Sequence, residues 1–300
     1  MFQTTHARFD AIICDIDGCL SPETSGPFDM ESLAVIAEHN RRATRDRDRP
    51  VLTLCSGRPQ PFAEAMCRLL HNTTLPVIAE NGVWLWDPAT NEFLMDPAIT
   101  REHRAAVREA GAWLEEEFGR TLPNRKGVSQ QPGKGASVSL YHPDAAYLRS
   151  ICPRVTEEFA RRGWPMRVSM TWFYINCDLE HVNKGTGIAR LMERTGLKRE
   201  RLAGIGDTLG DELIRERVAW FACPANAAKE IKERADFVAS AAEARGVVEI
   251  LEMLCETNPK RIPGAVVDGF ATAAPEVPAR QRGGAQSGST TAPENEVGFV

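Results

Sequence analysis

The chain has 300 residues, of which 43% are hydrophobic and 26% are charged, so it is long enough to bury a sizeable core. Its net charge of −5 argues against a protein that binds nucleic acid by neutralising phosphates. No apolar run approaches the length of a membrane span, and the N-terminus lacks the apolar core of a signal peptide. We therefore expect no membrane partner and a cytoplasmic location.

The eight cysteines form no CxxC pair, and no cluster of cysteine and histidine has the spacing of a zinc site. This usage is typical of a reduced protein in which cysteine acts as a small hydrophobic residue. No partner protein is evident from the sequence.

The first part of the chain alternates strand-like apolar runs with helical patterns. Residues 9–14, 51–55 and 76–79 are predicted to be buried strands. One helix is predicted after Asp29, which is suited to cap it, and a second helix is predicted to begin at Pro59 or Pro61. Strand–helix–strand alternation predicts crossover connections and a parallel sheet.

The pattern changes before Lys184. Long helices are predicted over residues 98–118 and 144–161, and strands over residues 137–141 and 167–177. Such a mixture indicates an α+β domain inserted into the first one.

The strand–helix alternation then resumes. Helices are predicted over 184–196, 211–216, 227–234 and 244–254, and strands over 202–205, 219–223 and 237–239. We therefore predict an α/β fold: a doubly wound, Rossmann-like parallel sheet with an inserted α+β domain. The predicted parts are a core of residues 1–87 and 179–257, an inserted domain of residues 88–178, and a disordered, Pro-, Gly- and Ser-rich tail of residues 258–300.

Polar side chains follow four of the predicted core strands. They are Asp15 and Asp17, then Ser56, Gly57 and Arg58, then Asn81, and finally Asp207 and Asp211. Each alone would be an ordinary turn or capping residue. Because open α/β sheets bind ligands at the carboxyl ends of their strands, we expect these side chains to converge, with Lys184 beside them.

In their order, the segments Asp15-Ile16-Asp17-Gly18, Ser56-Gly57-Arg58, Lys184-Gly185 and Gly206-Asp207…Asp211 resemble the four motifs of the haloacid dehalogenase (HAD) superfamily. The long insertion after Glu80-Asn81-Gly82 is similar to the α/β cap of its class IIB branch, which includes Cof-type hydrolases, sugar-phosphate phosphatases and phosphoglycolate phosphatases. The resemblance covers roughly residues 8–256. It departs from the family at Cys19, where threonine is common, and at Gly210, where asparagine is common.

The resemblance implies a role for each motif residue. Asp15 would be the nucleophile that forms an aspartyl-phosphate, and Asp17 would be the acid and base. Ser56, Gly57 and Lys184 would bind the phosphoryl group. Mg²⁺ would lie on Asp15, the main-chain carbonyl of Asp17, Asp207 and, directly or through water, Asp211.

The charges of these residue types support a cation independently of the resemblance. A carboxylate and an anionic phosphate ester repel each other, and two unit charges 4 Å apart interact by about 4 kcal/mol at an effective dielectric constant near 20. Clustered carboxylates with a phosphate therefore require a counter-ion, and Mg²⁺ with oxygen ligands is suited to that purpose.

Substrate selection is expected in the inserted domain. Arg58 and Asn81 of the core are weak candidates for substrate contacts, and the candidates in the insertion are Lys126, Ser137, Ser139, Arg167, Trp172 and Asn176. An anionic substrate would use Lys126 or Arg167, whereas a neutral sugar would use Asn, Ser and an aromatic face. The sequence leaves both open. Residues 127–135 mimic a P-loop, but the spacing is one residue too long and Gly135 replaces Ser or Thr.

The sequence thus predicts a Mg²⁺-dependent phosphatase that acts on a small phosphorylated metabolite, either a sugar phosphate or a phosphoglycolate-like acid. Two alternatives remain open at this point. One is a phosphomutase of the phosphomannomutase type, which returns the phosphoryl group to its substrate. The other is a non-catalytic module that binds a ligand or carries a phosphoaspartate.

Overall fold

The computed structural model describes residues 8–23, 26–119, 127–171 and 173–256. Within them the strands are β1 (Ala11–Cys14), β2 (Val51–Leu54), β3 (Val77–Ala79), β4 (Trp84–Asp87), β5 (Glu92–Met95), β6 (Ser129–Gln130), β7 (Ser137–Tyr141), β8 (Met166–Met170), β9 (Tyr174–Leu179), β10 (Leu202–Ile205), β11 (Trp220–Cys223) and β12 (Phe237–Val238). The helices are α1 (Met30–Asp46), α2 (Gln60–Leu69), α3 (Arg101–Phe118), α4 (Ala145–Arg162), α5 (Lys184–Thr195), α6 (Glu212–Arg215), α7 (Lys229–Lys232) and α8 (Glu243–Glu256). The predicted tail, residues 258–300, lies outside the described residues.

Five parallel strands form the central sheet, in the order β12-β11-β10-β1-β2. The first strand lies between β10 and β2, so Ile13 is opposite both Gly204 and Thr53. A parallel bridge between Cys55 and Ile78 continues the sheet to β3. The polar segments that follow β1, β2, β3 and β10 are therefore brought to one edge of the sheet, as expected for the carboxyl ends of parallel strands.

Helices cover both faces of this sheet because alternate strand residues point to opposite sides. Ile12 and Cys14 pack in a core with residues of α1, α2 and α8, whereas Ala11 and Ile13 pack in a core with residues of α5, α6 and α7. The side chain of Asp29 caps α1 by accepting a hydrogen bond from the Ser32 amide at 3.1 Å. The predicted doubly wound α/β fold and the predicted cap at Asp29 are confirmed.

A hairpin of β4 and β5, which the sequence reading missed, extends β3 in antiparallel fashion. Two arginines of α5 hold it: Arg190 donates to the carbonyls of Gly82 and Leu94, both at 2.9 Å, and Arg194 pairs with Asp87. The domain boundary predicted at residue 88 falls in the turn of this hairpin, and the division into domains stays a prediction.

The inserted segment, which we define as the elements from α3 to β9, combines the antiparallel sheet β6-β7-β9-β8 with α3 and α4 around a core of its own. The single strand predicted over residues 167–177 is wrong. The chain turns between β8 and β9, where the Thr171 amide donates to the Tyr174 carbonyl at 2.9 Å, and Met170 pairs opposite Ile175. The run contains neither glycine nor proline, so it gave no signal for a turn.

All eight cysteines are free, and six of them are buried, in agreement with their predicted packing role. Among the described helices, none combines the length and the apolar character needed to cross a bilayer.

Candidate active site

The end of β1 sets the position of the first candidate residue. Asp15 directly follows the strand and is buried, and its Oδ1 accepts a hydrogen bond from the Ile16 amide at 2.7 Å. Gly18 lies in the left-handed region with φ of +74°, and a Cβ at this position would overlap the carboxylate of Asp207. Glycine is thus required here for both conformation and space, which allows the loop after β1 to pack against the loop after β10.

Lys184 is the first residue of α5. Asn183 caps this helix, and its side chain accepts a hydrogen bond from the Thr186 amide at 3.1 Å. A cation at a helix N-terminus is disfavoured by the helix dipole, and burying it is costly in addition. Both costs are offset because Lys184 Nζ lies 2.9 Å from Asp15 Oδ2 and 2.6 Å from Asp211 Oδ1. Burial alone lowers the pKa of Lys184, but these two carboxylates outweigh it, and the pKa is raised.

The loop after β10 brings two more carboxylates to this point. Asp211 Oδ2 accepts hydrogen bonds from the amides of Asp207 and Thr208, each at 3.0 Å, so Asp211 shapes the turn that carries Asp207. Burial, together with the charges of Asp211 and Asp15, raises the pKa of Asp207 to about 9. Burial and the charge of Asp211 likewise raise the pKa of Asp15 to about 7, against the opposing effect of Lys184.

These carboxylates fit a divalent cation. Oxygens of Asp15, Asp207 and Asp211 lie within 4.8 Å of one another, and among the described residues the ammonium group paired with this cluster is that of Lys184, which contacts Asp15 and Asp211. The raised pKa values of Asp15 and Asp207 reflect burial first and the neighbouring negative charges second, and a cation would relieve the repulsion between these charges. Among the described residues, the side chain of Asp207 accepts one weak hydrogen bond, from Cys19 Sγ at 4.0 Å, so its oxygens are available to an ion. Both oxygens of Asp211 already accept protein donors, which favours contact through water.

The residues after β2 lie beside this cluster and line the same cavity. Ser56 is buried, and its Oγ accepts a hydrogen bond from the Arg58 amide at 3.1 Å. A Cβ at Gly57 would lie 3.1 Å from Asn81 Oδ1, so the segments after β2 and β3 are in close contact. Ser56, Gly57 and Asn81 therefore share the cavity with Asp15 and Lys184.

Asp17 and Arg58 form an ion pair that the sequence reading did not foresee. Arg58 Nε lies 2.8 Å from Asp17 Oδ2, and Arg58 Nη2 also binds Asp17 Oδ1. The guanidinium also lies 5.0 Å from the centre of the Phe62 ring. The side chain of Asp17 thus points to Arg58 in this structure.

The cavity has a volume of about 440 Å³ and extends from the carboxylate cluster to the inserted segment. Four of the eight predicted substrate contacts line it, namely Arg58, Asn81, Arg167 and Asn176. Two others, Lys126 and Trp172, lie outside the described residues. Ser139 donates to Asn176 Oδ1 at 2.6 Å, whereas Ser137 donates to Glu80.

Comparison with known proteins agrees with the family resemblance of the sequence motifs. A family profile described as haloacid dehalogenase-like hydrolase matches residues 129–251. A phosphoglycolate phosphatase of Methanothrix thermoacetophila is 34% identical over 246 residues, which cover 81% of this chain and 96% of that protein. A phosphoglycolate phosphatase of Methanospirillum hungatei is 26% identical and covers 81% of this chain and 95% of that protein. The 34% identity over nearly the full length of a relative decides the matter. The chain belongs to the haloacid dehalogenase-like hydrolases.

Solved structures agree on the fold of this haloacid dehalogenase-like hydrolase. A Thermoplasma acidophilum protein aligns with a TM-score of 0.63 at 18% identity, over 82% of this chain and 98% of that one. The sucrose-phosphatase of Synechocystis, determined with sucrose and phosphate, aligns with a TM-score of 0.59 at 17% identity, over 82% of this chain and 98% of that one. At these identities the comparison concerns the fold alone.

Three residues to which the sequence analysis assigned no role line the cavity of this hydrolase or support the loop above it. Lys134 and Asp178 line it, and Asp178 Oδ1 is buried without a hydrogen-bond partner among the described residues. Glu80 is buried at the end of β3 and accepts hydrogen bonds from the Gly135 amide at 2.9 Å and the Ala136 amide at 2.8 Å. The sequence contained one signal for these residues, because Lys134 lies between two glycines within residues 127–135. The similarity of that segment to a P-loop suggested a phosphate-binding loop rather than a single lysine that lines the cavity.

Proposed function

We propose that this phosphoric monoester hydrolase is a Mg²⁺-dependent phosphatase of a small phosphorylated metabolite, either a sugar phosphate or a phosphoglycolate-like acid, and that it acts through an aspartyl-phosphate. The observation that carries the proposal is the convergence of Asp15, Lys184, Asp207 and Asp211, which come from three separate parts of the chain, at one end of the cavity. Buried carboxylates of this number are costly unless the site uses them.

In the proposed reaction, an oxygen of Asp15 attacks the phosphorus atom while the bond to the leaving alcohol breaks. Asp17 gives a proton to the leaving oxygen. It then takes a proton from the water that attacks the phosphoryl group on Asp15, and this second step releases phosphate and restores the Asp15 carboxylate. Dividing hydrolysis in this way replaces one difficult step by two easier ones.

The ion pair between Asp17 and Arg58 has to open for this reaction, because a carboxylate bound to a guanidinium does not reach the leaving oxygen. We propose that Arg58 exchanges Asp17 for the substrate, since guanidinium groups bind phosphoryl oxygens well. The cavity supports this exchange, because Asp17 and Arg58 both line it.

The remaining polar groups would bind the phosphoryl oxygens. Lys184 already contacts Asp15, so its ammonium group is suited to neutralise both the nucleophile and the ester. Ser56 and Gly57 follow the neighbouring strand β2 and line the same cavity, so the Ser56 hydroxyl and the Gly57 amide are suited to donate to phosphoryl oxygens. A Mg²⁺ ion held by Asp15, the carbonyl of Asp17, Asp207 and, through water, Asp211 would neutralise charge on the ester.

Phosphate release from p-nitrophenyl phosphate and a panel of phosphorylated metabolites tests the proposal. We expect turnover in Mg²⁺, its loss in EDTA, and a decrease of at least about 1,000-fold in kcat for Asp15→Asn, because the neutral amide is a poor nucleophile. Asp46→Asn, which alters an exposed helix residue, is the matched control and should retain activity. Turnover that persists in Asp15→Asn would contradict the assignment of the nucleophile, and phosphoryl transfer between substrate positions with little phosphate release would indicate a mutase.

A further inference from the structure

The loop of residues 133–137 belongs to the inserted segment in chain order, but it is fixed to the carboxyl ends of the core strands. Gly133 packs against Pro59, where a Cβ would lie 3.5 Å from the proline ring. Glu80 accepts hydrogen bonds from the amides of Gly135 and Ala136 and from the Ser137 hydroxyl at 2.8 Å. These contacts hold the loop over the ends of β2 and β3.

Lys134 lies in the middle of this loop and lines the cavity. Its Nζ donates to Ser139 Oγ at 2.7 Å, and Ser139 in turn donates to Asn176 Oδ1 at 2.6 Å. Among the described residues, no carboxylate forms an ion pair with Lys134. An ammonium group has three N–H donors, so this partly buried cation has donors left for a ligand.

The nearby carboxylate of Asp178 has other partners. Its Oδ2 accepts a hydrogen bond from Asn81 Nδ2 at 3.0 Å, and Arg167 Nη2 lies 3.8 Å from the same oxygen. The charge of Asp178 is therefore offset in part by Arg167. The charges of Asp178 and Glu80 also act on Lys134, but its direct hydrogen-bond partner is the Ser139 hydroxyl and neither carboxylate forms an ion pair with it.

We propose that Lys134 binds a carboxylate of the substrate, at the end away from the phosphoryl group, so that the enzyme prefers phosphorylated hydroxy acids to phosphorylated neutral sugars. The inference rests on the proposed phosphatase function and names its substrate class. A single carboxylate matches the single charge of an ammonium group, whereas a second phosphate is more often bound by the bidentate fork of arginine. Ser139 and Asn176 are the side chains that could form hydrogen bonds with a sugar hydroxyl, but they already form a hydrogen bond with each other.

The test compares two esters of equal length, 2-phosphoglycolate and 2-hydroxyethyl phosphate, in which CH₂OH replaces the carboxylate. The measured quantity is the ratio of kcat/KM for the acid to kcat/KM for the alcohol. We expect the wild type to prefer the acid and the ratio to fall about 10- to 100-fold in Lys134→Met, which removes a charged hydrogen bond. Lys134→Arg, which keeps the charge, should retain most of the preference. Lys198→Met removes an exposed lysine that does not line the cavity, and its ratio should equal that of the wild type.

Hydrolysis of p-nitrophenyl phosphate separates the two levels of the proposal. If the wild type hydrolyses it in Mg²⁺ but shows no preference for the acid, or if Lys134→Met leaves the ratio within about threefold, the role of Lys134 is overturned and the phosphatase stands. If the wild type releases phosphate from none of the three esters, the phosphatase proposal fails and the inference with it. If Lys134→Met does not fold, Lys134→Gln is tested in its place, and the same ratio of kcat/KM values decides the outcome.

Discussion

At the scale of single residues, His39 shows how burial alone can make stability depend on pH. This side chain of α1 does not line the cavity, and its Nε2 donates to the carbonyl of Pro50 at 2.8 Å. Burial lowers its pKa from 6.5 to about 4. The unfolded chain therefore binds a proton at this residue near pH 6.5, whereas the folded chain does so near pH 4. Between these values the free energy of unfolding falls as the pH falls.

We expect His39 to reduce the free energy of unfolding by about 2 kcal/mol between pH 7 and pH 5, with most of the loss below pH 6.5. Denaturant titrations at both pH values measure the effect. Because carboxylates also titrate, the informative quantity is the difference between the wild type and His39→Gln, which cannot take up the proton. An equal pH dependence in the two proteins would show that His39 is not the cause.

Gly18 and Gly196 have nearly the same backbone conformation, with φ of +74° and +77°, but different surroundings. A Cβ at Gly18 would overlap Asp207, whereas a Cβ at Gly196 would meet nothing within 4 Å. Both changes to alanine should cost about 1 kcal/mol of stability through the backbone. We expect Gly18→Ala in addition to lower kcat/KM by about 100-fold by displacing Asp207, while Gly196→Ala keeps its activity. Equal kcat/KM in the two variants would contradict the importance of this close packing.

At the scale of elements, the position of the loop of residues 133–137 depends on Glu80. Burial raises the pKa of Glu80, and the donors of Gly135, Ala136 and Ser137 oppose this effect by favouring the charged form. A buried carboxylate with three donors is therefore the feature that joins the end of β3 to the inserted segment.

Glu80→Gln should loosen this connection, because the amide of glutamine presents a donor to the donors of the loop. We expect the free energy of unfolding to fall by about 1–3 kcal/mol and hydrogen exchange at Gly135 and Ala136 to accelerate. Glu230→Gln, on the exposed part of α7, is the control and should change neither quantity. Protection of the two amides that equals the wild-type value would exclude the role of Glu80.

The strands of the central parallel sheet and the helices that cover it could be predicted because their apolar periods are regular and their caps are explicit, as at Asp29. The turn between β8 and β9 could not, since residues 167–177 contain no glycine or proline. The convergence of Asp15, Lys184, Asp207 and Asp211 followed from the rule for strand ends in parallel sheets. The pairing of Asp17 with Arg58 and the position of Lys134 did not, because they depend on side-chain directions and on a contact between distant segments.

At the scale of the whole molecule, we expect the carboxylate cluster to lower the stability of the fold in the absence of a cation. A pKa of about 9 for Asp207 means that the folded chain holds a proton near pH 7 that the unfolded chain releases. The stability contribution of this residue therefore falls as the pH rises from about 4 towards 9.

Asp207→Asn should remove this cost. In EDTA at pH 7 we expect the variant to melt higher than the wild type by about 5 °C, the equivalent of roughly 2 kcal/mol. Mg²⁺ should raise the Tm of the wild type with the logarithm of one plus its concentration over Kd, and should raise that of the variant much less. Calorimetry with and without Mg²⁺ measures both effects. A variant that is less stable in EDTA and gains as much from Mg²⁺ as the wild type would refute the cation site.

The hydrogen bonds of Glu80 have a consequence for protein engineering. If the inserted segment of this protein were moved into a homologous core, Lys134 would move with it, but Glu80, which binds the loop that carries Lys134, would stay behind. If Lys134 selects the substrate as proposed, such a chimaera would acquire this selectivity only when residue 80 was transplanted as well.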